Sequence, residues 1–242
     1  MYCRPKSKVV GAVRKPCAAN CRGPAGLAEP TSHHGIPLIH ISTDYVFGGD
    51  SARPYTEGDP VNPIGAYGAS KAAGELAVRT ANPRSVIVRT AWVLSANRSN
   101  FLKTMLRLAG ERDWVGVVAD QRGCPTSAAD IAAALLAITR RLAEDPSSPT
   151  GTYHFVNRGE ASWHELASEI FRLSAERGGP TAEARPINTA DFPTRARRPA
   201  NSRLSTDKIE RDFGLEPRPW REAVAEIIAA LDEAGALKER VR

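Results

Sequence analysis

The chain has 242 residues, 42% of them hydrophobic and 25% charged, enough for one large or two small packed domains. No apolar run reaches the roughly 18 residues that a membrane-spanning helix needs, so the sequence excludes a membrane protein and predicts a cytoplasmic one. It also argues against nucleic acid as a partner: in the first 35 residues Arg4, Lys6, Lys8, Arg14, Lys15 and Arg22 face Glu29 alone, so nearly all of the net charge of +6 sits at one end, whereas a nucleic-acid binder carries its basic stripe on the folded body.

Residues 1–16 are basic, contain Pro5 and Pro16, and differ in composition from the rest of the chain. The two prolines argue against an amphipathic targeting helix, and the composition shows no apolar region of the secretory kind. Cys3, Cys17 and Cys21 share this end of the chain with His33 and His34, but adjacent histidines do not match zinc-ligand spacing, so free thiols are expected and no metal site is assigned. Residues 18–34 are Ala/Leu-rich and helix-like, with Gly23, Pro24 and Pro30 as interruptions. Ile36–Ser42 reads as a buried strand, and a Gly/Asp/Pro-rich loop runs from Gly48 to Pro63. Residues 65–81 predict a helix closed by Asn82-Pro83, then Val86–Arg89 a short apolar strand. Next come a helix over 100–112, a strand through Val115, Val117 and Val118, a helix over 127–142 and a strand over Thr152–Val156. Ser162 with Glu165 forms a capping-box pattern that starts a helix to about Arg177. Residues 188–203, polar and rich in Pro and Arg, read as a functional loop or lid, and Ser205–Phe213 and Trp220–Leu231 as two closing helices.

This alternation predicts an α/β fold built on a parallel sheet, with a smaller mixed part after it. The expected division is a divergent basic segment (1–16), an α/β part (17–126) and a smaller mixed part (127–242) suited to an appended substrate-binding role, the last two interleaved.

Two constellations carry chemistry. In Tyr67-Gly68-Ala69-Ser70-Lys71 the phenol and the ammonium are four residues apart, on one helix face. A nearby cation lowers a tyrosine pKa and makes the phenol a usable proton donor to a carbonyl oxygen. By itself the pair also fits a solvated helix face. In Ser42-Thr43-Asp44-Tyr45-Val46-Phe47 polar residues stand at the carboxyl end of the first clear strand, where open parallel sheets bind ligands. The bland alternative is a polar strand end entering a turn.

Together these segments resemble the extended short-chain dehydrogenase/reductase superfamily, and within it the dTDP-4-dehydrorhamnose reductase family. Arg89-Thr90-Ala91-Trp92-Val93, Asn100-Phe101, Asp120-Gln121, Gly123-Cys124-Pro125-Thr126, Gly151-Thr152-Tyr153-His154 and Arg198-Pro199-Ala200-Asn201-Ser202-Arg203-Leu204 continue that resemblance in order, from about Ala18 to Leu231. The resemblance implies a partial Rossmann-like sheet and an NADPH-dependent reductase of a nucleotide-activated 4-keto sugar. Thr43, Tyr67 and Lys71 would be catalytic. Lys71, Asp44 and Tyr45 would lie at the nicotinamide end of the cofactor, and Thr43, Trp92, Arg198 and Arg203 at the substrate. Trp92 fits plain core packing as well, and the arginines fit a solvated loop. A homodimer also belongs to this expectation, as does a magnesium ion that no residue here can be assigned to hold.

The sequence departs from that pattern at its start. The family opens with a strand and a glycine-rich turn that seats the cofactor diphosphate on a helix N-terminus. Gly11, Gly23, Gly26 and Gly35 do not have that spacing. Only 35 residues precede Ile36, too few for the expected strands at about 30 residues for each strand-helix-strand unit. Lys8–Val13 is the one strand-like remnant there. The sequence therefore predicts a sheet lacking its first strands, as in a truncated or frame-shifted product, and weak NADPH binding. The competing functions are a non-catalytic relative, resembling the regulatory subunit of methionine adenosyltransferase, and a nonfunctional fragment.

Overall fold

In the computed structural model the described residues are 17–192, 194 and 196–237. The basic segment 1–16, with its Lys8–Val13 strand expectation, lies outside them. A short π-helical turn, Ala18–Arg22, runs straight into α1 (Gly23–His33). Pro24 sits in the first turn of α1, where its missing N–H costs nothing.

The chain continues as β1 (Leu38–Thr43), a 3₁₀ turn (Asp44–Val46), α2 (Ala66–Ala81), β2 (Ser85–Thr90), β3 (Val93–Leu94) and α3 (Phe101–Ala109). Then come β4 (Trp114–Val118), β5 (Arg122–Gly123), β6 (Thr126–Ser127), α4 (Ala128–Glu144), β7 (Gly151–His154) and β8 (Ala161–Ser162). The last elements are α5 (Trp163–Ala175), β9 (Glu183–Ile187), α6 (Asp207–Phe213) and α7 (Trp220–Glu233).

β2 is buried along its whole length because it is the centre of a parallel sheet ordered β1-β2-β7. Its alternation divides the apolar residues between two faces. Val86 and Val88 meet Ile131, Ala134, Ile138 and Leu142 of α4, Tyr153 of β7 and Ile209 of α6. Ile87 meets Ala28 of α1 and Val78 of α2 on the opposite face. Helices thus cover both faces, as a parallel sheet requires. Among the described residues β1 is an edge of this sheet. No helix among them is long and apolar enough to cross a membrane.

A second and larger core joins α3, α5 and α7. Leu102, Met105 and Leu106 pack with Leu166, Ile170 and Phe171 and with Val224, Ile227 and Ile228. The expected capping box is formed: Ser162 Oγ accepts from the Glu165 N–H at 3.1 Å and Glu165 Oε2 accepts from the Ser162 N–H at 2.6 Å. The sheet part draws on α4 and β7, which lie beyond residue 126, so the chain passes between its two parts more than once.

β9 is a strand where the sequence predicts none. It pairs in parallel with β4, Trp114 opposite Glu183 through Val118 opposite Ile187. Glu183, Arg185 and Pro186 give it no strand-like pattern, yet a two-stranded ribbon tolerates a proline in a strand that is all edge.

Candidate active site

The parallel register places Thr43 of β1 beside Thr90 of β2, with the chain turning away after each. α2 then comes close over the turn after β1. A Cβ at Gly68 would lie 1.9 Å from the Tyr45 carbonyl oxygen, so only glycine permits this approach. Gly74, a turn and a half further on, permits the same on the other side, where a Cβ would lie 2.0 Å from the Asn20 carbonyl. Fixed between these contacts, α2 aims Tyr67 and Lys71 at the carboxyl end of β1.

Thr43, Asp44, Tyr45, Tyr67, Lys71 and Trp92 line one cavity of about 310 Å³, with Trp163 at its margin. Six expected site residues therefore converge there. Thr43 Oγ1 donates to Asp44 Oδ1 at 2.8 Å and accepts from the Tyr45 N–H at 3.3 Å. The Tyr67 hydroxyl also lies within reach of Thr43, and its ring meets Tyr45 edge-on with centroids 6.0 Å apart.

The Lys71 ammonium donates to the Ile41 carbonyl at 2.8 Å. The Tyr67 phenol is held above its ordinary value by burial, with Thr43 opposing the rise and Asp44 adding to it. Burial lowers the Lys71 pKa, against the pull of Glu75 one turn along α2. Asp44 is buried, and that pushes its carboxyl up to about 7.

Trp92 combines both of its readings. It packs into the larger core and presents its ring to the cavity. Its backbone has φ 46, a left-handed conformation unusual for a bulky residue. Its Nε1 donates to Ser202 Oγ at 3.1 Å, and its ring stacks on Trp163 with centroids 3.5 Å apart and planes 7° apart. A Cβ at Gly123 would fall 2.3 Å from the indole, so glycine is required beneath it.

The two arginines of the 198–203 loop part company. The Arg198 guanidinium stands 6.0 Å over the Trp163 ring and borders a neighbouring cavity of about 640 Å³ that Gly49, Asp50, Gln121, Phe192 and Arg197 also line. Arg203 does not face either cavity, which corrects its placement at the substrate. Its Nε donates to Asn201 Oδ1 at 2.8 Å, Nη1 to Glu160 Oε2 at 2.7 Å and Nη2 to the Ala52 carbonyl at 2.7 Å, so it ties the loop to the body.

Three features escape a reading of the sequence. Trp163 reads only as the first residue of a capped helix; its stacking partner is distant in the chain. Ser202 looks like one of several loop hydroxyls. Below the site, Glu75 of α2 and Arg89 of β2 form a buried bidentate pair at 2.9 and 2.7 Å, with Arg89 also 5.0 Å over the Phe47 ring. Arg89 falls within the Arg89–Val93 motif, but nothing in the sequence names its partner.

Residues 12–233 match the family described as RmlD substrate binding domain. A dTDP-4-dehydrorhamnose reductase of Sinorhizobium fredii is 47% identical over 215 residues, 88% of this chain and 73% of that one. A crystal structure of a dTDP-4-dehydrorhamnose reductase from Clostridium acetobutylicum superposes with TM-score 0.80 at 39% identity, covering 88% of this chain and 72% of that one. The Bacillus anthracis dTDP-4-dehydrorhamnose reductase in complex with NADP superposes with TM-score 0.82 at 34% identity, covering 94% and 79%. With this match along most of the sequence and fold, the chain belongs to the RmlD family, that of the dTDP-4-dehydrorhamnose reductases.

Proposed function

We propose that this chain reduces dTDP-4-dehydro-L-rhamnose to dTDP-L-rhamnose with NADPH. The observation that carries the proposal is the convergence of Thr43, Tyr67 and Lys71 on one cavity at the carboxyl end of β1. The Sinorhizobium and Bacillus relatives are reductases, which favours this reading over a non-catalytic relative.

The site fits the nicotinamide end of the cofactor. Lys71 spends one of its three donors on Ile41 and has two left for ribose hydroxyls. Asp44 and Tyr45 border the same space. NADPH, when bound, supplies the hydride that reaches the carbonyl carbon. The chain's own residues handle the oxygen. Tyr67 gives it the hydroxyl proton, and a raised pKa keeps that proton in place at neutral pH until it is needed. Thr43 hydrogen-bonds the same oxygen and fixes its direction. Trp92 and Trp163 present a flat aromatic surface for the sugar or base, and Arg198 suits the nucleotide diphosphate.

The test is NADPH oxidation by the purified chain with dTDP-4-dehydro-L-rhamnose, measured across a wide range of NADPH concentration. Turnover that depends on both substrates and saturates with NADPH is expected. Absence of turnover at any cofactor concentration overturns the proposal. Sedimentation of the same sample tests the expected homodimer.

A further inference from the structure

Asp44 comes directly after Thr43 and opens the 3₁₀ turn after β1. It is only 4% exposed. Its Oδ1 accepts from the Thr43 hydroxyl at 2.8 Å. Its Oδ2 is buried without a hydrogen-bond partner. Among the described residues no arginine or lysine forms an ion pair with it. The ionisable groups that face it are Tyr45 beside it, Tyr67 from α2 and Cys124 from the segment between β5 and β6. The Cys124 thiol is pushed up to about 11 and both phenols are raised, so all three are neutral near pH 7. Of the cations around the site, Lys71 donates to Ile41 and Arg198 stands over Trp163.

We propose that Asp44 is a positioning residue for the reduction, whose proton decides whether the Thr43 hydroxyl points at Asp44 or at the substrate carbonyl. This rests on the chain being a reductase. Thr43 Oγ1 has one proton and already accepts from the Tyr45 N–H. An ionised Asp44 can only accept, so it takes that proton's direction for itself and leaves none for the substrate oxygen. A protonated Asp44 can donate to Thr43 Oγ1, and the threonine proton is then free to turn toward the substrate.

Burial places the change in the neutral range, because the carboxyl is held up to about 7. The competent form is the acid form, so activity falls as pH rises through that value. The sign for stability is the same. A carboxyl whose pKa is raised on folding contributes fully below its unfolded value, and that contribution is lost as pH climbs through the folded value.

The test compares kcat/KM for the sugar nucleotide between pH 5.5 and 9, at saturating NADPH, in the wild type and in Asp44→Asn. The asparagine amide can donate to Thr43 as the protonated acid does, at every pH. The wild type is expected to lose about tenfold per pH unit above the transition, as for a single proton, while Asp44→Asn lacks that limb. Urea unfolding at pH 5 and pH 8 is expected to show the wild type losing stability relative to the variant as pH rises. Parallel pH profiles in the two proteins overturn the inference and leave the reductase reading intact. No turnover by the wild type at any pH overturns that reading, and the inference with it. Should Asp44→Asn fail to fold, Thr43→Val decides. Its residual activity lacks the limb if Asp44 acts through Thr43, and a retained limb overturns the inference.

Discussion

On the wall of the cavity built from β1, β2 and α2, Ser42 Oγ, Asp44 Oδ2 and Thr90 Oγ1 are buried without hydrogen-bond partners, and Lys71 uses one donor. On the opposite wall, Trp92 and Trp163 line the cavity and their indole nitrogens are matched by residues behind them. Trp92 Nε1 meets Ser202, Trp163 Nε1 meets Gln121 Oε1 at 3.2 Å, and Gln121 Nε2 meets Thr189 Oγ1 at 3.0 Å. Native proteins rarely leave buried polar atoms unmatched, and where they do a functional reason is the first to test. The difference divides the labour. The first wall holds hydrogen-bonding capacity in reserve for a ligand, and the second is a rigid surface that positions it. Substitutions should then separate cleanly, with losses of turnover on one wall and losses of stability on the other.

The largest effect is expected at Tyr67. Tyr67→Phe removes only the hydroxyl, and the ring is about half exposed, so packing changes little. Turnover should drop roughly 10²–10⁴-fold while the thermal midpoint stays in place. Unchanged turnover in a steady-state NADPH assay removes Tyr67 as the proton donor and the first wall as the reactive one.

Next comes the ion pair beneath the first wall. Glu75→Gln leaves the Arg89 guanidinium buried without a counter-charge, in a site where both side chains are 2% exposed. Breaking such a pair costs about 3–5 kcal/mol, much of it the cost of the charge left behind. Urea denaturation measures this directly. A loss under about 1 kcal/mol, the range of exposed pairs, shows that water reaches Arg89 and that the wall is softer than its burial implies.

How much of the molecule is legible in the sequence depends on how far each signal reaches along the chain. β2 announces itself through Val86-Ile87-Val88, since a central parallel strand needs apolar residues on both faces. The α5 start is equally plain, because a capping box is a local pattern of four residues. Tyr67 and Lys71 are legible as a pair from helical spacing, but the partner of the ammonium is not. That partner is a backbone carbonyl, Ile41, which no side-chain pattern encodes. Arg203 is misplaced for a related reason: a motif fixes the residue, and not whether its fork faces a ligand or the protein's own Glu160 and Ala52. β9 escapes because it is five residues long and contains Pro186, which argues against a strand except at an edge.

The second wall offers a third test. Gly123→Ala places a Cβ against an indole that cannot easily retreat, since Trp163 covers one face of Trp92 and Ser202 holds its nitrogen. Overpacking of this kind costs about 1–3 kcal/mol. Thermal unfolding should show the loss, and tryptophan fluorescence should shift as the stack opens. A neutral result makes the wall adaptable and leaves the contrast with the first wall without support.

The smallest effects should come from the two arginines of one loop, and they sharpen the comparison most because the residues are chemically identical. Arg198 stands over Trp163 at the cavity rim, with no ion pair among the described residues, whereas Arg203 spends all three of its nitrogens on Asn201, Glu160 and Ala52. Arg198→Met keeps the aliphatic stem and deletes the charge. It should raise KM for the sugar nucleotide by about tenfold, the worth of roughly one charge-assisted hydrogen bond, and leave stability within about 0.5 kcal/mol. Arg203→Met should do the reverse. Asn201 Oδ1 keeps the Arg203 backbone N–H at 3.1 Å, so only part of the tether is lost. The expected cost is about 1 kcal/mol, because Glu160 remains partly exposed and also holds Arg122 at 2.8 Å. KM should change little. Steady-state kinetics and urea denaturation on both variants decide the matter. If Arg203→Met raises KM as much as Arg198→Met does, the loop closes on the substrate as one unit, and the division between a reactive wall and a supporting one does not extend to its rim.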